Sequence, residues 1–148
     1  MRWLLGLVST GCMVGGGPAF AVRSTGKVAI GWDASSTVGG VGLQAGATYG
    51  IGAPDLGYFA FRAAAPLAPD RRWDGSYQLG LGTTLGYARA EGHGGGIAAA
   101  WFQYLRGDFG SCEETPMFAV QLGLRVAAGQ IEYFISPQLH RYQDVCFD

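Results

Sequence analysis

Glu132, Ser136 and His140 recur at every fourth position, and an acid, a hydroxyl and an imidazole are the ingredients of hydrolytic nucleophilic catalysis. Their spacing decides against that use. Residues four apart on a β-strand share a face but stand ~13 Å from one another, whereas a triad needs hydrogen bonds of ~3 Å. Polar side chains lining the inside of a barrel are the reading the spacing allows. Cysteine offers a second chemistry. Cys112 and Cys146 make an even pair, so a disulfide between them is expected in an oxidising compartment. Neither has a Cys or His at zinc-ligand spacing, and no metal or cofactor is implied. Gly80, Gly82 and Gly86 alternate along one run and precede no helix, so they do not form a nucleotide fingerprint.

His93-Gly-Gly-Gly96 resembles the oxyanion-hole segment of lipases and esterases, a role that requires a G-x-S-x-G nucleophile elbow elsewhere. The chain contains no such elbow, and the four residues are expected to be a flexible glycine-rich connection between strands. Local signatures of barrel-type lipid-A deacylases or acyltransferases are also missing. A non-enzymatic role is the expectation. Pro66 to Asp74 combines charge with Trp73 and reads as a solvated connection that offers a contact surface.

The elements that must carry these residues are strands. Charged residues make up 14% of the chain against 49% hydrophobic, with 26 glycines, which is little charge for a soluble surface. A net charge of -1 and scattered arginines provide no basic patch, so nucleic acid is excluded as a partner. No apolar run approaches the ~18 residues of a membrane helix. Any crossing of a membrane is therefore made by strands.

Period-two alternation dominates the chain. From Tyr77 to Tyr87, Tyr77, Leu79, Leu81, Thr83, Leu85 and Tyr87 share one face, and glycine, Gln78 and Thr84 populate the other. Val41 to Ile51 repeats the pattern, as does Phe118 to Val126. Folding the latter run about Ala127-Ala-Gly-Gln130 pairs Val126 with Ile131, Leu124 with Tyr133 and Leu122 with Ile135. The same register sets Arg125 across from Glu132, where opposite charges are favourable neighbours. A comparable hairpin about Ser24-Thr25-Gly26 pairs Val22 with Val28 and Phe20 with Ile30. Gly57 to Ala65 turns Phe59 and Phe61 outward and Arg62 inward.

These runs predict an all-β, up-and-down antiparallel closed barrel of about eight strands, near residues 14-23, 27-34, 39-51, 56-65, 76-89, 95-106, 116-127 and 130-142. Most charges fall between strands, while Arg62, Arg125 and Glu132 project inward as a candidate interior polar network. Connections near 34-39, 66-75 and 107-115 are expected to be the longer ones, sharing an end with both termini. Cys112 and Cys146 fall at that same end, so their disulfide would pin the tail to a loop.

The alternation, the tyrosines ten residues apart and the strand count resemble the small eight-stranded outer-membrane β-barrels. That resemblance implies membrane lipid as the partner of the outer face and the cell envelope, chiefly the outer membrane, as the location. At the N-terminus, Leu7-Val-Ser-Thr-Gly-Cys12 resembles a bacterial lipoprotein box, which implies an export signal over 1-11, lipidation of Cys12 and a single domain over 12-148. The alternative signal covers 1-21, ends at Ala19-Phe20-Ala21 and leaves Val22 first. The hairpin about Gly26 needs residues before Val22, which favours Cys12. The role expected is structural or one of surface contacts. The alternatives are a soluble periplasmic barrel that binds a small hydrophobic ligand and an envelope lipid-modifying enzyme. No protein partner is legible.

Overall fold

A computed structural model describes residues 12–51, 53–67, 77–107 and 115–143. Alternating apolar and small or polar residues form eight strands: β1 (Cys12–Arg23), β2 (Val28–Val38), β3 (Val41–Gly50), β4 (Ala53–Pro66), β5 (Tyr77–Ala90), β6 (His93–Arg106), β7 (Thr115–Ala127) and β8 (Gln130–Gln143). Each pairs antiparallel with its chain neighbours, and β1 pairs with β8, which closes an up-and-down barrel. Closure gives every described strand a neighbour on both sides. One end carries the β1–β2, β3–β4, β5–β6 and β7–β8 turns, and is called here the turn end. The other, the terminal end, carries the start of β1 and the end of β8.

Both hairpins registered from sequence form as expected. Arg125 faces Glu132 and Leu122 faces Ile135 across β7–β8, while Val22 faces Val28 and Phe20 faces Ile30 across β1–β2. Outward positions are exposed and apolar, as at Leu43, Tyr49, Phe61, Leu85 and Leu122, and inward positions such as Gln44, Thr48, Arg62, Thr84 and Gln121 are buried.

Two connections differ from expectation. The segment 34-39, expected to be a longer connection, is mostly strand: β2 runs to Val38, and Gly39-Gly40 alone makes the turn before Val41. Ser35 and Thr37 are small polar residues that fit the inner face, where both are buried. Gly39 and Gly40 have φ of 59° and 83°, the left-handed pair that a two-residue hairpin matched to sheet twist requires. His93-Gly-Gly-Gly96, expected to be a connection, opens strand β6 instead. The turn before it is only Glu91-Gly92, with φ of 45° and 82°.

β6 alternates less cleanly in sequence because its large and small residues exchange faces. Trp101 points inward and is buried, opposite Gly82 and Gly123, while Ala98 and Ala100 point outward. A Cβ at Gly82 would collide with the indole ring, so glycine there makes space for it.

The β1–β8 seam has a defect of its own. Ser24 N donates to Ile131 O at 2.9 Å, which fixes the hydrogen-bonded sites of that ladder. Counting along it, Pro18 and Pro137 fall opposite each other at such a site, inside the gap in pairing between Gly16↔Leu139 and Phe20↔Ile135. Neither proline has an N–H to give. The Ser136 hydroxyl donates instead to the Pro18 carbonyl at 3.1 Å.

Candidate functional site

Arg23, Arg125 and Glu132 meet inside the barrel. The strands β1, β8 and β7 are neighbours, and the pairings Arg23↔Glu132 and Arg125↔Glu132 place all three inward. Arg23 Nε donates to Glu132 Oε1 at 2.8 Å and Arg125 Nε to Oε2 at 2.6 Å. One carboxylate therefore serves two guanidiniums, all nearly solvent-free. The Arg125 guanidinium also stands 5.3 Å from the Tyr58 ring and 5.2 Å from the Phe134 ring, within cation–π range.

Tyr58 carries the network across the lumen. Its hydroxyl donates to Asp33 Oδ1 in β2, and it accepts from Gln44 Nε2 in β3 at 3.2 Å. Gln44 Oε1 accepts from the Thr84 hydroxyl at 3.1 Å, and Thr84 Oγ1 accepts from Trp101 Nε1 at 2.9 Å. Arg62 lies over the Trp101 ring at 4.5 Å and donates from Nη2 to Gln103 Oε1 at 3.0 Å. Bonds and ring contacts thus link Arg23 to Gln103 through strands on opposite walls.

A second row follows β8. Gln138 Nε2 donates to Gln121 Oε1 at 3.2 Å and to Ser136 Oγ at 3.1 Å, while His140 Nε2 meets Gln138 Oε1 at 2.8 Å. Glu132, Ser136 and His140 are at most 2% exposed and have these partners rather than one another. They do not assemble into a triad.

Apolar side chains cover both ends of this polar interior. Leu105, Met117 and Tyr142, with Met13 against them, lie toward the terminal end, and Leu56, Ala90, Ile97 and Ala127 toward the turn end. Within the network is one small void beside Gln44, Tyr58, Thr84 and Arg125, with room for about one water. The described lumen is filled by side chains.

The outside is the reverse of the inside. Ile131, Tyr133, Ile135 and Leu139 are all exposed along β8, covering roughly 20 Å of axial height at a strand tilt near 40°. Tyr49, Tyr87 and Tyr133 stand outward near the turn end, at 59–64% exposure. The exposed charges among the described residues, Lys27, Asp55, Arg89, Glu91, Arg106 and Arg141, lie in turns or within two residues of a strand end. None sits in the middle of the belt.

Of the residues singled out in the sequence, Arg125 and Glu132 are brought together, whereas Arg62 joins through Trp101 rather than through an ion pair. Arg23 and Asp33 complete the interior charges among the described residues and were not singled out, although outward Val22 and Ile30 imply by parity that both point inward. Cys12 opens β1 opposite Val38 and Gln143, carries a free thiol, and shares its outward parity with Val14. Cys112 and Cys146, the export segment 1-11 and most of the Trp73 connection lie outside the described residues. Comparison with known proteins gave no match: no family model, no curated protein and no solved structure is similar to the chain.

Proposed function

We propose that the chain is a non-enzymatic outer-membrane barrel with a structural or surface-contact role, held in the bilayer by its strands and by a lipid on Cys12. The observation that carries this reading is the inverted distribution of polarity. Large apolar side chains such as Trp32, Phe59, Phe61, Leu85 and Leu139 are more than half exposed on the outer face, while Arg23, Arg62, Arg125, Asp33 and Glu132 are at most 3% exposed within. In water that arrangement would expose a continuous greasy belt far larger than the patches soluble monomers tolerate. In a bilayer it is the favourable one, with tyrosines at the border where an aromatic girdle belongs.

A soluble periplasmic barrel that binds a small hydrophobic ligand would need an apolar lumen with room for it, and the described lumen is polar and filled. Cleavage after Ala21 would remove most of β1, which pairs with both β2 and β8, and so would open the barrel. That favours Cys12 as the first mature residue. A diacyl group there would lie on the outward side of the terminal end, beside Val14 and Val38.

Cell fractionation tests the reading. The protein should resist high salt and alkaline carbonate and be extracted only by detergent; release by either wash would overturn it. Mass spectrometry of the mature N-terminus should find an acylated Cys12, and a free Val22 would remove the anchor.

A further inference from the structure

We propose that the interior binds one small inorganic anion, of the chloride class, in the void beside the Arg125 guanidinium. Gln44, Tyr58, Thr84 and Arg125 form its polar wall, and Ile97 and Phe134 its apolar one. Arg125 is 2% exposed and is fixed by Glu132 at Nε and by the Tyr58 and Phe134 rings. Arg125 lines this space, and its Nη2 has no hydrogen-bond partner in the protein.

The wall offers donors and has few acceptors left. Tyr58 Oη already accepts from Gln44 and donates to Asp33, and Thr84 Oγ1 accepts from Trp101 and donates to Gln44. Arg125 Nη2 and the second hydrogen of the Gln44 amide still seek an acceptor, against one spare lone pair each on Thr84 Oγ1 and Gln44 Oε1.

Charge points the same way. Among the described residues the interior buries three guanidiniums, on Arg23, Arg62 and Arg125, against two carboxylates, on Asp33 and Glu132. Glu132 is already shared between Arg23 and Arg125. The guanidinium left without an ion pair is Arg62, so the described interior as a whole carries one cation in excess, and a halide held beside Arg125 would offset that excess across the lumen where a water would not. Size restricts the occupant to a monatomic anion, since the space admits about one water-sized particle and a phosphate would not fit. The inference does not depend on membrane placement, because the lumen is the same in either setting.

The test uses the full chain folded in detergent micelles. Its thermal midpoint should rise by about 3–6 °C, and saturate, as chloride replaces gluconate at constant ionic strength. Crystals soaked in bromide should show one anomalous peak in contact with Arg125 Nη2. Ala99→Val narrows the void from its lining without altering any charged group, and should abolish both the peak and the chloride response while the barrel still folds. A midpoint indifferent to chloride, bromide bound only elsewhere, or an Ala99→Val barrel with an unchanged chloride response would each overturn the proposal.

Discussion

Glu132 is the residue on which the interior most depends, because it neutralises Arg23 and Arg125 at once. Replacing it with Gln keeps the shape but leaves two buried guanidiniums facing a neutral amide. The expected loss is about 3–5 kcal/mol, read from urea unfolding of the folded barrel. Asp33→Asn should cost less, about 1–3 kcal/mol, because its Oδ1 can still accept from Tyr58 as an amide oxygen; equal losses for the two variants would refute this ranking. The Arg125–Glu132 pair was legible in the sequence because both lie on one hairpin, whose register a short turn fixes. The Tyr58–Asp33 and Arg62–Trp101 contacts were not. They span the lumen between strands that are not paired with each other, and depend on how far successive strands slide during closure, which alternation alone does not specify.

Strands were easier to read than the turns between them. Period two survives wherever one face is greasy, so the runs of β3, β5 and β7 stood out, while β2 was cut short where its outward face turns to Ala34 and Ser36. His93-Gly-Gly-Gly96 lost the pattern altogether, because glycine carries no side chain from which a face can be recognised. The tight turns also place non-glycine residues in left-handed conformations, at Glu91 with φ 45° and Ala128 with φ 48°. Alanine is strained there and asparagine is tolerated, so Ala128→Asn should raise stability by about 0.5–1 kcal/mol without shifting the β7–β8 register. A loss of stability would show that the turn is not built as described. At the seam, Ser136→Ala removes the hydroxyl that serves the Pro18 carbonyl and should cost about 1–3 kcal/mol. Pro137→Val restores an N–H aimed at the same carbonyl and should recover roughly 1 kcal/mol; a neutral or harmful effect would mean that the ladder is not short of that bond.

For the whole molecule the decisive property is which way polarity faces. Leu122 lies in the middle of the outward face of β7 at 49% exposure, so Leu122→Arg is a probe of the surroundings. In a bilayer it should cost about 2–4 kcal/mol, whereas in water a surface change of this kind stays within about 0.5 kcal/mol. Comparing unfolding in liposomes with unfolding of the unsubstituted chain separates the two. Planar-bilayer recordings should find no stepwise conductance, since the lumen is filled and covered at both ends. The closing pair, β1 with β8, joins Cys12 to Gln143 across nearly the full length between them. A ribosome makes β1 first and β8 last, so no intermediate length of nascent chain can complete the ring. Ring closure therefore waits for β8, and the seam that joins the first strand to the last is also the one in which two prolines withhold their hydrogen bonds.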